Sequence, residues 1–269
     1  MSNLSLLPEK YYIIWLDQHI GEAGFCHKLK EAFFTHIGPN DATKSSFIDN
    51  EIQILIQNQS ETSINFDNVH FTFKAFVEVQ SCVQYIRQIH QHRILLIASS
   101  ILGQPAVEQI IREFPDLFIN KLTKKPYHSI YIFCTDIAKV CQWGFEYFDY
   151  LLAFDHEADL LERMTNELCK EFHEQAKYLA DVEQYEAALE RASWSRNVLI
   201  HYEDLENKSA CRQPEQGKSS KKLREIDELI EQIERQMKTR SDDSSDEVDT
   251  VRNEMKLLIH ILKCSILDK

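Results

Sequence analysis

Tyr11-Tyr-Ile-Ile-Trp-Leu16 and Arg93-Ile-Leu-Leu-Ile-Ala-Ser99 are short runs with almost no polar residue to mark an exposed face. Segments of this length, rich in Ile, Leu and aromatic residues, suit strands covered on both sides. Outward from them, Phe71–Val79 and Ser129–Thr135 repeat the pattern, and Tyr150–Asp155 adds a weaker fifth run. Stretches with helical periodicity lie between the runs. Strands joined by helical crossovers pair in parallel, and right-handed crossovers place helices on both faces. The expectation is an α/β domain over residues 1–155 with a five-stranded parallel sheet in the order 2-1-3-4-5, a three-layer sandwich.

The connecting segments carry signals of their own. After Asp17, the residues Phe25, Leu29, Ala32, Phe33 and Ile37 fall at helical spacing, and Gly38-Pro39-Asn40 stops that helix. Residues 41–68 are polar apart from Ile52–Ile56 and read as an insertion: a loop, or an edge strand in which Ile52, Ile54 and Ile56 alternate. Cys82, Val83, Ile86 and Ile89 make the stripe of a short helix. Pro105 stands at an expected first helical position, followed by Val107, Ile110, Ile111 and Phe114 as a buried face.

Residues 156–205 run without Pro or Gly and fit a helical hairpin or one long helix. Residues 206–221, with Pro214 and Gly217, read as a linker. Over 222–269 two blocks follow the a/d rhythm of a coiled coil: Leu223, Ile226, Ile230, Ile233 and Met237, then Val248, Val251, Met255, Leu258 and Leu262. Between them, the acidic Ser-rich segment 239–249 holds Ser241, Ser244 and Ser245. A solvated linker is the simpler account of it than a phosphorylation switch.

A content of 43% hydrophobic residues in 269 is enough for a core of ordinary size. The formal net charge of -13 opposes the counterion displacement by clustered Lys and Arg on which nucleic-acid affinity rests, so no nucleic acid is expected. No apolar stretch approaches the roughly 20 residues of a membrane helix, and the first residues lack the basic start and apolar core of a signal peptide. Seven cysteines form no CxxC pair and several sit in apolar patterns, which suits reduced thiols. The expected setting is cytoplasmic, without a membrane.

In an open parallel sheet, ligands bind beyond the carboxyl ends of the strands. Those ends carry Asp17, Glu78, Ser99, Ser100, Cys134 to Asp136, and Asp155 with His156. Asp17, Ser99, Ser100, Thr135 and Asp136 are the candidate ligand-binding residues. The Ser99–Gln104 segment offers hydroxyls and backbone N–H groups to an anion, but among six glycines there is neither a GxGxxG nor a Walker A pattern. Cys134, Asp136 and His156 are the ingredients of a thiol nucleophile with base and orienter, yet Cys134 lies in an apolar strand and reads as core. His90 and His92, two residues apart, point in different directions and read as surface residues, so no metal site is expected. Trp143, Phe145, Tyr147, Phe148 and Tyr150 read as core, with any exposed part a docking face.

The expected order 2-1-3-4-5 is flavodoxin-like and is shared by receiver and TIR domains. Asp17 and Thr135 match the acidic and hydroxyl positions of a receiver, whereas Ser99 stands where the phosphoacceptor Asp belongs and Asp155 where the Lys belongs. Glu108 resembles the Glu that NAD-cleaving TIR domains carry in the helix after their third strand, although the intervening segment is shorter and the Trp-Cys pair is absent. Tyr12-Ile-Ile-Trp-Leu-Asp17, Val79-Gln-Ser-Cys-Val-Gln-Tyr-Ile-Arg87, Arg93 to Gly103 and Ser129-Ile-Tyr-Ile-Phe-Cys-Thr-Asp136 together resemble the N-terminal α/β domain of a poorly characterised eukaryotic family. In that family the domain commonly precedes an arginine-type ADP-ribosyltransferase domain or tetratricopeptide repeats. The resemblance covers roughly residues 10 to 155 and implies no assigned reaction. The transferase's Glu-x-Glu loop has no counterpart here, and no 34-residue period marks a repeat array.

These readings converge on a non-enzymatic interaction or regulatory module, a sensor-like α/β head whose C-terminal helices assemble with a protein partner or with a second copy. It needs no cofactor. The alternative is a TIR-like NAD-processing or nucleotide-binding domain, with NAD as cofactor and Glu108 catalytic.

Overall fold

The computed structural model describes residues 7–8, 10–33, 44–66, 69–209 and 221–239. The second heptad block and Ser241, Ser244 and Ser245 lie outside the described residues. The described chain divides into two compact units. One holds the residues up to Glu171 together with those from Asn197 to 209, and the other holds Phe172–Arg196 together with 221–239.

Apolar runs form the strands of the first unit: β1 (Tyr11–Leu16), β3 (Val69–Phe76), β4 (Arg93–Ser99), β5 (Ile130–Phe133) and β6 (Leu151–Phe154). These pair in parallel in the order β3-β1-β4-β5-β6, with Leu16 beside Phe76 on one side and Ala98 on the other. The count and order differ from the five expected strands. A sixth strand, β2 (Thr62–Phe66), pairs antiparallel with β3, so the sheet is mixed and runs β2-β3-β1-β4-β5-β6. Such a strand needs only one neighbour and tolerates Thr, Ser and Asn, which hides it from a search for apolar runs.

Residues 41–68 hold more than a loop. Ile52–Ile56 belongs to the helix α2 (Lys44–Asn58), not to an edge strand, and the edge strand comes afterwards. Turns from Gln18 to Cys26 precede the short helix α1 (His27–Phe33), so Phe25 is not helical.

Side chains alternate across the sheet because strand periodicity is two. Tyr12, Ile14, Leu16, Ile94, Leu96, Ala98, Ile130 and Ile132 belong to a core with α3 (Val79–Ile89), α4 (Ser100–Glu113) and α5 (Ile137–Gly144). Each fully buried Ile or Leu among them contributes roughly 1.5–3 kcal/mol. Ile13, Trp15, Phe71, Phe73, Leu95, Ile97 and Tyr131 are buried on the opposite face. There, Glu157 and Glu171 of α6 (Glu157–Asp181) bond to α1 and β4, respectively.

Pro105 lies inside α4, whose first residue is Ser100. It removes a bond only to the carbonyl of Ile101, at the exposed start of the helix. Gly103 lets α4 approach the sheet, since a Cβ there would stand 2.7 Å from Ile132 Cδ1 and 3.4 Å from Ala98 Cβ.

Residues 157–209 form a hairpin of α6 and α7 (Tyr185–Ser209), and α7 extends past the expected linker start at 206. Glu183, at φ 60°, makes the turn between them. In the second unit Phe172 meets Trp194 edge to face at 5.4 Å, and Ala176, Ala188 and Ala192 are fully buried. Residues 221–239 form a further helix, α8, which buries Ile226, Leu229 and Ile233 and binds Arg196 Nε through Asp227 Oδ1 at 2.8 Å. Met237 of the first heptad block stays 37% exposed.

Candidate functional site at the carboxyl rim of the sheet

The strand ends bring two of the candidates together. Asp17 and Ser99 each follow the paired residues Leu16 and Ala98 by one position, so they are neighbours on adjacent strands. Ser99 pairs with Phe133 of β5, which leaves Thr135 and Asp136 two and three residues further out, both exposed. Asp155 and His156, after β6, are exposed as well, and no hydrogen bond joins His156 to Cys134 among the described residues.

Asp17 is 2% exposed. Its backbone N donates to Phe76 O at 2.9 Å, and its Oδ1 accepts from the backbone N of His19 at 2.8 Å. Burial pushes the carboxyl above its ordinary value and Glu22 adds to this, against opposition from His19 and Lys30. The loop that follows is pinned by the insertion. Lys30, at 1% exposed, donates through Nζ to Asp49 Oδ1 and to Glu22 O, and the backbone N of Gly24 donates to Asp49 Oδ2 at 3.0 Å. Gln53 Nε2 adds a bond to Gly21 O at 2.9 Å, and Glu157 Oε2 accepts from the backbone N of Leu29 at 3.0 Å. The rim beyond β1 is thus closed by groups that bond to one another. Cys26 is buried beside them, and desolvation, with Glu157 and Asp17, pushes its thiol up and away from nucleophilic character.

Above β4 and β5 the arrangement is looser. Ser99 holds the N-cap position of α4 in extended conformation without a capping hydrogen bond, and its Oγ is buried with no partner. Ser100 is the first helical residue. Cys134 is 6% exposed, and burial raises its thiol, so it packs as core. Asp136 caps α5 by position only, and its Oδ2 lies 3.6 Å from the exposed Lys139 Nζ. Glu108 is not at this rim. It lies eight residues past Ser100, about 12 Å along the helix axis at 1.5 Å per residue, and accepts a bond from Gln104 Nε2 at 3.0 Å.

Three exposed apolar residues border the rim, each just beyond a strand end: Val77 after β3 (37% exposed), Ile101 after β4 (70%) and Ile137 after β5 (36%). Sequence reading missed them. Val77 was absorbed into a strand run, and Ile101 and Ile137 look like the first core positions of helices. The aromatic concentration divides: Trp143, Tyr147 and Tyr150 pack on the core, while Phe145 and Phe148 lie exposed with rings 6.1 Å apart. Among the described residues no group of three or more His, Cys, Asp or Glu could hold a metal ion, and no helix is long and apolar enough to cross a membrane.

Asp17→Asn tests the account of the β1 end. An acid whose folded pKa is raised loses stability as pH climbs from its ordinary value of 3.8 towards the folded value. Charged Asp17 therefore costs stability at neutral pH. Asparagine keeps the acceptor for His19, so the variant is expected to melt higher at pH 7, with the gain vanishing below pH 3.8. Thermal melts at the two pH values check this; equal melting at pH 7 contradicts it.

No family model matches the chain, and neither a curated protein nor a solved structure matches it.

Proposed function

We propose that this chain is a non-enzymatic protein-interaction or regulatory module, a flavodoxin-like α/β head joined to a helical region, working in the cytoplasm on a protein partner or a second copy of itself. The supporting observation is the division of labour at the carboxyl rim. Its polar groups over β1 are buried and bonded within the protein, while Val77, Ile101 and Ile137 stand exposed along its border. Exposed apolar side chains along a rim whose β1 end is closed by its own polar groups suit contact with another protein better than chemistry on a small substrate. Free thiols at Cys26, Cys82, Cys134, Cys141 and Cys169 accord with a reducing compartment. The resemblance of residues 10 to 155 to a domain that precedes enzymatic or repeat domains points the same way.

The alternative, a TIR-like NAD-processing or nucleotide-binding domain, draws on one observation, the buried and unpartnered Ser99 Oγ. Two measurements on the full chain separate the readings. A photo-cross-linking residue at position 101 is expected to form adducts with one discrete polypeptide, this chain or another, and Ile137→Asp to reduce them about tenfold. Adducts indifferent to Ile137→Asp would contradict the docking reading. Chromatography after incubation with NAD is expected to show no product; turnover abolished by Glu108→Ala would put the alternative in its place.

A further inference from the structure

The sheet ends on an open edge at β6, the last strand in the order, which pairs with β5 in unbroken parallel register from Leu151 to Phe154. Cys134 N donates to Phe154 O at 2.8 Å and Ile130 N to Tyr150 O at 3.0 Å, so alternate residues of β6 face β5. By the two-residue period of a strand, the N–H and C=O of Leu151 and of Ala153 face outward. Among the described residues no strand pairs with them. Edge strands in folded proteins are commonly blunted by Lys, by Pro or by a bulge. β6 has none of these within it: Leu151-Leu-Ala-Phe154 is wholly apolar, and Leu152, Ala153 and Phe154 are half-buried where every residue of β1 is buried.

Charge decides what such an edge accepts. Between Val140 and Glu162 stand Glu146, Asp149, Asp155, Glu157, Asp159 and Glu162, with no Lys or Arg among them. Glu157 is engaged with Leu29, and the other five are exposed. The cations on either side are matched: Lys139 Nζ lies 3.6 Å from Asp136 and Arg163 Nη2 2.6 Å from Glu167. Arg112 of α4 acts on Tyr147, and Glu108 acts there beside it. A second copy is a poor occupant. Antiparallel pairing about Leu152 would set Asp149 of each copy against Asp155 of the other, and each copy brings a net charge of -13. The same two acids favour a strand with Lys or Arg at its ends. Phe145 and Phe148, 77% and 62% exposed just ahead of β6, extend the apolar surface at its start.

The geometry points to β6 as the docking edge for an extended basic segment of a partner protein, which adds to the six-stranded sheet as a further strand. Its backbone bonds to Leu151 and Ala153, its apolar side chains lie beside Leu152 and Phe154, and its Lys or Arg residues meet Asp149 and Asp155. This edge goes beyond the rim reading and stands or falls separately from it, since adducts at position 101 can persist when the edge binds nothing.

The test is fluorescence-anisotropy titration of the full chain with the labelled peptide Lys-Val-Thr-Val-Thr-Val-Lys. Two counterparts accompany it, one with Glu at both ends and one N-methylated at every internal residue. Saturable binding of the Lys-ended peptide is expected, with each counterpart about tenfold weaker. Asp149→Lys combined with Asp155→Lys, both on exposed side chains, is expected to reverse the preference between the two end charges. Bound peptide is expected to slow amide exchange at Leu151 and Ala153, while Leu152, which faces β5, is protected with or without it. No saturable binding at millimolar concentration, or equal affinity for either counterpart, would overturn the proposal. So would amides of Leu151 and Ala153 already protected in the free chain, because the edge would then be covered by the chain itself or by a second copy.

Discussion

Glu171→Ala is expected to destabilise the α/β unit by roughly 3–5 kcal/mol, measured as a lower urea midpoint at unchanged slope. The pair it breaks has both partners 3% exposed at their side chains, with Arg93 Nε 2.9 Å from Glu171 Oε2. Guanidinium cannot shed its proton at any accessible pH, so removing the carboxylate leaves a fixed charge out of water. The bonds from Nη1 to Ile94 O and Ser129 Oγ remain but supply no counter-charge. Tyr127 loses as well, since its hydroxyl bonds to Glu171 and its ring lies beneath Arg93. The control is Arg93→Met with Glu171→Leu, which removes both charges for similar volume and is expected to lose far less, or nothing. A cost below about 1 kcal/mol for Glu171→Ala, the range of an exposed pair, would show that the guanidinium finds water in the folded chain.

How much of this was readable in the residues depends on how local each signal was. β1 and β4 occupy the runs Tyr11–Leu16 and Arg93–Ser99 to the residue, because strands covered on both faces are unbroken apolar text. The edge strand β2 and the helix α2 exchanged their signals. Ile52, Ile54 and Ile56 alternate like a strand, but in α2 two positions turn the helix by about 200°, so Ile52 is buried and Ile54 is 53% exposed. Pro105 misled because proline is also tolerated one turn later, where the carbonyl it abandons is exposed. Asp17 and Ser99 were legible as strand-end residues, since topology alone makes them neighbours. The groups that close the rim were not. Asp49 meets Lys30 from an insertion, and Glu157 meets Leu29 from 128 residues away, contacts that no periodicity encodes.

Lys30→Met is expected to cost roughly 3–5 kcal/mol by stranding Asp49, again as a urea midpoint shift. Lys30 is 1% exposed and Asp49 7%, so neither charge recovers solvent when the other is removed. The loss should be concentrated in one place. Asp49 Oδ2 holds the backbone N of Gly24, a residue at φ 73°, and Lys30 Nζ holds Glu22 O, so this pair orders the turns after β1. Amide exchange is therefore expected to rise at Gly24 and its neighbours while the amides of β1 and β4 keep their protection, a local opening. Asp49→Leu added to Lys30→Met removes the stranded charge and is expected to recover most of the stability, but not the protection at Gly24, whose acceptor is then gone. The two readouts divide because charge compensation and loop anchoring are separate services of one carboxylate. If protection at Gly24 returned with the stability, the Asp49 bond would be incidental, and packing of α2 alone would hold the rim closed.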